Sequence, residues 1–205
     1  MESEAITIDG IPVTIRPMDT GYLMADREPD GVEVAVGCRA YAKPEQWPNP
    51  MYVTYYGKLT KAYGACAILA WQAQSVVGFL PFVPIECGID LPHCLHYVDA
   101  EDMAAVETFS PVPKEQMRQR ILKTHCLSVK PTMRRKGLAS RLVRYLVEWA
   151  KANEWQRIQG WAFEKSDFAW LPDIIFWEKC GFHRGKARAW DESITDPGFE
   201  YYIDL

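Results

Sequence analysis

No stretch of this chain approaches the roughly 20 apolar residues that a membrane-crossing helix needs, so no spanning segment is expected. The opening MESEAITIDG is acidic and lacks an apolar core, so no export signal is read there and the cytoplasm is the expected location. There is no C-x-x-C pair. Cys38, Cys66, Cys87, Cys94, Cys126 and Cys180 are scattered, which points to reduced, mostly buried thiols rather than a disulfide framework. Surplus positive charge is missing too. With 23 basic against 27 acidic residues the net charge is -4, which argues against nonspecific attraction to nucleic acid or anionic lipid. No internal repeat, low-complexity tract or obvious linker divides the 205 residues, so one domain spanning 1–205 is expected.

What is present supports a sizeable core: 48% of residues are hydrophobic, and Trp, Tyr and Phe are plentiful. ITIDGIPVTIRPM reads as two short strands around a Gly turn. From Asp19 to about Tyr63 the pattern is poor, and the prolines of KPEQWPNP require a loop. Ala65 to Pro84 is two apolar runs about a polar turn near Gln72 to Ser75, an antiparallel hairpin. A long connection from Ile85 to Gln119 holds a short helix at Ala100 to Thr108. A strand at Lys123 to Val129 leads through a loop into a helix. On that helix Leu142, Val143, Leu146, Val147 and Ala150 form one apolar stripe, and Arg141, Arg144, Glu148 and Lys151 face away from it. RIQGWAF (157–163) reads as a strand, DIIFWEKC (173–180) as a short helix ended by Gly181, and FEYYIDL as a terminal strand. This order suggests a mixed sheet covered by helices.

Six basic residues and no acidic one lie between Lys130 and Arg144, in a chain that is acidic overall. The setting is a loop between strand and helix, with Pro131 closing the strand and Gly137 at the helix mouth. A helix N-terminus offers unpaired N–H groups and a partial positive charge, and so attracts phosphate. Gly137 admits close backbone approach, Ala139 is nearly as small, Arg134, Arg135 and Lys136 add charge, and Ser140 adds a hydroxyl. That many donors suit a pyrophosphate with a further phosphate nearby. Neither G-x-x-x-x-G-K-[ST] nor G-x-G-x-x-G occurs, which excludes two standard phosphate motifs. What remains is [R/Q]-x-x-G-x-[G/A], running from Arg134 to Ala139.

This segment resembles the acyl-CoA-binding motif of the GNAT superfamily of N-acetyltransferases, V-x-P-x-x-R-G-K-G-[IL]-[GA], through Val129, Pro131, Arg134, Lys136, Gly137, Leu138 and Ala139. A second superfamily signature, an aromatic followed by E-K-x-G-F, appears in FWEKCGF, Phe176 to Phe182. The resemblance covers about residues 65–185. It implies an α/β (α+β) GNAT fold, a mixed, mostly antiparallel sheet of six to seven strands with helices on both faces. Residues 1–64 and 85–122 would then shape the acceptor site. It also implies an acetyl-CoA-dependent N-acetyltransferase without a metal, acting on a small-molecule or peptide amine by direct attack. The N–H groups from Arg135 to Ser140 would hold the CoA pyrophosphate. The backbone of Leu127, Ser128 and Val129 would pair with the pantetheine arm, with the acetyl carbonyl near the Val129 N–H. In this superfamily the strand before the loop splays from the next one, and the amine enters from the side opposite the cofactor.

Direct attack needs a neutral amine, hence a base. His125 lies on the strand leading to the loop and titrates near neutrality. Its position is similar to that of a catalytic histidine in the serotonin N-acetyltransferase branch; the alternative is a half-buried strand residue with a satisfied ring. Cys126 points to the other face, which speaks against a Cys–His dyad. Many family members carry Tyr before E-K-x-G-F, where its hydroxyl can protonate the CoA thiolate. Trp177 stands there instead, and an indole N–H is no useful acid. His93, His96 and Cys87 lack zinc spacing and read as loop residues. Glu101, Asp102 and Glu107 read as a solvated helix face, and Trp161, Phe163, Phe168 and Trp170 as core or acceptor-pocket lining. Tyr201 and Tyr202 alternate, so at most one of them faces the cleft. A catalytically silent acyl-CoA-binding regulator of the same fold is the alternative reading, and a nucleic-acid-binding module the second. No membrane partner is expected, and the sequence is compatible with a homodimer.

Overall fold

The computed structural model describes residues 3–23, 50–89, 100–124, 126–166, 171–188 and 198–205. The first hairpin forms as its sequence suggests. Strand β1 (Glu4–Ile8) turns at Asp9-Gly10, both in the left-handed region, into β2 (Ile11–Pro17). A short helix α1 (Thr20–Leu23) follows, and then α2 (Pro50–Tyr63), which the sequence reading did not expect. Of KPEQWPNP, only Pro50 falls among the described residues, and it is the first residue of α2. Tyr55, Tyr56, Leu59 and Tyr63 of α2 are buried in the common core.

The hairpin of β3 (Ala67–Gln72) and β4 (Ser75–Pro84) matches expectation, as does α3 (Ala100–Thr108). Lys58 of α2 donates from Nζ to the carbonyl oxygens of Val106, Glu107 and Phe109, tying α2 to the end of α3. The single strand read at Lys123 to Val129 is corrected. It begins earlier, as β5 (Ile121–Thr124), and resumes as β6 (Ser128–Val129) with its register against β4 moved by one residue. Such a shift bends a strand away from its neighbour.

After β6, a 3₁₀ turn at Pro131–Met133 leads to α4 (Leu138–Ala152), whose buried side includes Leu142, Val143, Leu146, Val147 and Ala150. Strand β7 (Arg157–Phe163), helix α5 (Ile174–Lys179), β8 (His183–Arg188) and β9 (Gly198–Asp204) complete the chain. The sheet order is β1-β2-β3-β4-β5-β7-β9-β8, with β6 paired to β4, so among the described residues nine strands replace the six to seven expected. The surplus comes from the divided strand and from β8, whose polar HRGKAR lacks an apolar alternation. Among the described residues, all pairings are antiparallel except β5 with β7.

Helices α4 and α5 share one face of the sheet. A Cβ on Gly78 would meet Leu142, Phe82 touches Trp149, and Phe82 is paired with Thr124. Thr124 in turn lies beside Gly160 and Tyr201, on whose ring Trp177 of α5 is stacked. The opposite face, carrying Leu69, Val77, Phe79 and Val83 by alternation, is buried as well.

Candidate functional site

The break between β5 and β6 opens a gap in the sheet. Pairing of β5 with β7 stops at Lys123 and Gln159, while β7 continues to Phe163 with β9 as its partner. Beyond the break, β6 stays with β4. The Lys130 N–H donates to the Val77 carbonyl at 3.0 Å, so the Val129–Gly78 pair beside it is of the non-hydrogen-bonded kind. The Val129 N–H and C=O therefore point away from β4, into the gap. The carbonyl is taken by Arg134, whose Nε donates at 2.9 Å. That contact fixes the start of the loop against the end of the strand.

The loop ends in a helix mouth without a side-chain cap. Gly137 is the N-cap of α4 at φ +82°, and no side chain there accepts from the first helical N–H groups. The first helical bond runs from the Arg141 N–H to the Gly137 carbonyl, so Leu138, Ala139 and Ser140 present unpaired N–H groups. Arg135 is also left-handed, at φ +59°. Left-handed residues in such a turn gather successive N–H groups into a concavity suited to an anion. A Cβ on Gly137 would meet nothing within 4 Å, so the glycine serves backbone conformation and leaves open space in front of the turn.

A cleft of about 470 Å³ joins these features. Leu127, Val129, Arg134, Arg135, Gly137, Leu138, Ala139 and Ser140 line one side, all of them expected from sequence except in their grouping. Met133, Ser166, Leu171, Pro172, Asp173 and Phe176 line the rest and were not anticipated. Asp173 caps α5 by accepting from the Phe176 N–H at 2.8 Å, which a D-x-x-x start to a helical run could have signalled. Lys136 is not in the lining: its Nζ lies 2.9 Å from Asp9 in the β1–β2 turn. Arg141 and Arg144 reach Glu4, at 4.0 and 3.6 Å. So three of the six basic residues face the first hairpin, and Arg134 and Arg135 face the cleft. Ser128 is buried on the strand between two lining residues.

His125 lies outside the described residues, as do Cys38, His93, Cys94, His96, Phe168 and Trp170. Among the described cysteines, Cys66, Cys87 and Cys126 are buried and Cys180 half-buried, all as free thiols. Burial pushes the Cys180 thiol up from its ordinary value, opposed by a hydrogen bond with Ser140 at the mouth of α4. Glu107 is exposed, Trp161 half-buried and Phe163 buried.

Trp177 is 1% exposed, its indole stacked on Tyr201 at 4.1 Å with rings 11° apart, and its Nε1 has no hydrogen-bond partner. The Tyr201 hydroxyl passes over Gly160 to bond with the Thr124 hydroxyl, pinning β9 to β5 where the gap begins. Burial drives the Tyr201 hydroxyl far above its ordinary value, the Thr124 hydrogen bond opposing it, so it stays protonated.

Comparison with known proteins agrees with this architecture. A family model described as the acetyltransferase (GNAT) family matches residues 35–182. No curated protein matches the chain. Among solved structures, a GNAT-family acetyltransferase from Streptococcus pneumoniae superposes with a TM-score of 0.58 at 14% identity, covering 94% of this chain and 99% of that one. The yncA protein of Salmonella typhimurium, described as an acetyltransferase and solved with its cofactor acetyl-CoA, gives 0.56 at 11% identity, covering 94% of each chain. The ribosomal-protein-S18-alanine N-acetyltransferase of Escherichia coli gives 0.53 at 14% identity, covering 94% and 93%. At these identities the likeness concerns the fold.

Proposed function

The chain belongs to the acetyltransferase (GNAT) family, and on that premise we propose that it transfers an acetyl group from acetyl-CoA to a primary amine by direct attack. One observation carries this reading: the uncapped mouth of α4, behind left-handed Gly137, opens onto a cleft that runs to the inward-facing Val129 amide. The residues present fit the cofactor. The N–H groups of Leu138, Ala139 and Ser140 suit a diphosphate, with the guanidinium of Arg135 as the charge beside them. Leu127 and Val129 offer apolar walls and a strand backbone to the pantetheine arm. Bound there, acetyl-CoA would supply an acyl group activated as a thioester.

The Val129 N–H, free of a strand partner, would donate to the acyl oxygen as negative charge develops on it. His125 would take the proton that the attacking amine must lose, directly or through water. Trp177 offers no acidic hydroxyl to the departing sulfur, so the proton gained by the thiolate would come from solvent or from the amine itself. Acceptors of the peptide N-terminus kind are supported by the printed activity of the S18-alanine N-acetyltransferase that shares this fold. A nucleic-acid role is disfavoured because Glu4 and Asp9 already engage three of the basic residues.

The test has two arms: calorimetric titration with CoA, then thiol release from acetyl-CoA across a panel of primary amines. Binding with turnover supports the enzyme. Binding without turnover for any amine favours the silent regulator, for which buried Trp177 in place of tyrosine is the supporting observation. Absence of CoA binding would sink both.

A further inference from the structure

Asp173 brings a carboxylate into a cleft whose other features suit an anion. It is half-buried and lines the cavity together with Arg134, Arg135 and the uncapped mouth of α4. One oxygen, Oδ1, caps α5 by accepting from the Phe176 N–H at 2.8 Å. The other has no partner among the described residues. Capping does not explain the charge, because asparagine and serine cap a helix about as well without setting a negative group in an anion's cleft. A second observation places the carboxylate along that cleft. Cys180, at the far end of α5, is hydrogen-bonded to Ser140 in the mouth of α4. At about 1.5 Å per helical residue, Asp173 then stands roughly 10 Å from that mouth, one length of α5 away. The two ends of the cleft differ in sign: unpaired N–H groups and Arg135 at one, a carboxylate at the other.

We propose that Asp173 is a binding residue for the arm of the cofactor: its outward oxygen accepts a hydrogen bond from a pantetheine amide N–H, and its charge keeps the diphosphate at the α4 end. This rests on the acyl-transfer reading above. An arm that runs from the α4 mouth toward Val129 carries secondary amides, and each N–H needs an acceptor once it leaves water. Of the carbonyls on β6 only that of Val129 faces the gap, and Arg134 already holds it. A carboxylate is a strong replacement, since a hydrogen bond to a charged acceptor is about twice as strong as a neutral one. The same charge repels a phosphate that would settle against α5, so the ligand has one favourable direction in the cleft. Asp173 makes no bond to the acyl group and exchanges no proton; it sets how the thioester is presented.

Asp173→Asn and Asp173→Ser keep an oxygen for the cap and remove the charge. Each full-length variant is measured for thermal midpoint and, by calorimetry, for affinity toward dephospho-CoA and toward ADP, two ligands that differ only in the arm. The expected result is a midpoint close to that of the unaltered protein, dephospho-CoA bound about tenfold more weakly, and ADP bound equally or more tightly. Unchanged dephospho-CoA affinity in either variant overturns the proposal. So does equal weakening of both ligands, or a loss that follows the midpoint down, because a structural role would act on the whole cleft. If the unaltered protein binds dephospho-CoA no more tightly than ADP, the arm makes no such contact and the proposal falls while the acyl-transfer reading stands. If it binds neither dephospho-CoA nor CoA, that reading falls as well.

Discussion

At the scale of single residues, Gly137 separates two explanations for a glycine. Space is not the reason, since a Cβ there meets nothing within 4 Å; the backbone angle of +82° is. Gly137→Ala should therefore fold with a penalty of about 1 kcal/mol from left-handed strain alone. Gly137→Glu adds a carboxylate in front of the unpaired N–H groups and should abolish CoA binding. Calorimetry on the two variants checks both halves, and intact affinity in Gly137→Glu would move the phosphate site elsewhere. His125→Ala should lower turnover at neutral pH by at least about tenfold while leaving CoA affinity nearly unchanged, as loss of a proton acceptor does. A pH–rate profile identical to that of the unaltered protein would exclude His125 from the reaction.

At the scale of elements, two contacts between distant segments organise the site. The first hairpin reaches the basic loop before α4 through Asp9 and Lys136, 2.9 Å apart and partly exposed. Asp9→Asn should free Lys136 and tighten CoA binding by about threefold at low ionic strength, with the gain fading as salt rises. Equal affinities at every salt concentration would mean that Lys136 takes no part in binding. The second contact is the hydroxyl bridge from Tyr201 to Thr124 across Gly160. A Cβ on Gly160 would collide with the Tyr201 hydroxyl and lie 2.7 Å from Thr124 Oγ1. Gly160→Ala should cost about 2 kcal/mol by overpacking, and Tyr201→Phe, which only deletes the bridge, about 1 kcal/mol. Urea denaturation ranks them, and a Gly160→Ala protein of unaltered stability would contradict the close approach.

At the scale of the whole molecule, the core holds several protonated groups that dislike ionising. Burial raises the hydroxyls of Tyr55, Tyr63 and Tyr201 far above their ordinary value of 10.0. The Cys66 thiol is pushed up to about 12 from 9.0, also by burial, with the Thr60 hydrogen bond opposing. In the unfolded chain these groups lose protons from about pH 9 upward, whereas the folded protein keeps them. Since the native state then binds more protons, stability is full below about pH 9 and falls as pH rises toward 12 and beyond. Chemical denaturation followed by tryptophan fluorescence should show that decline, with ionisation of Tyr55, Tyr63 and Tyr201 appearing together with unfolding. Ionisation of these three buried tyrosines while the protein remains folded would refute it.

Much of this was readable along the chain because it depends on neighbours in sequence. The Asp9-Gly10 turn, the polar turn between β3 and β4, α3, the apolar stripe of α4 and the glycine-bounded helix mouth are all local patterns, and so is the basic loop whose Arg134 and Arg135 line the cleft. Helix α2 escaped because its tyrosines, threonines and Gly57 are weak helix formers, so burial rather than propensity holds it. Edge strand β8 escaped because an exposed polar strand carries no alternation. Only the tertiary structure decided where the strand before the loop breaks, that Asp9 and Glu4 meet the basic residues, and that Trp177 is packed on Tyr201. Each depends on segments far apart in the chain, Thr124 and Tyr201 being 77 residues apart. Local composition sets which residues can form an anion cradle, but the opening beside it comes from strands that part company, and parting is a property of pairs.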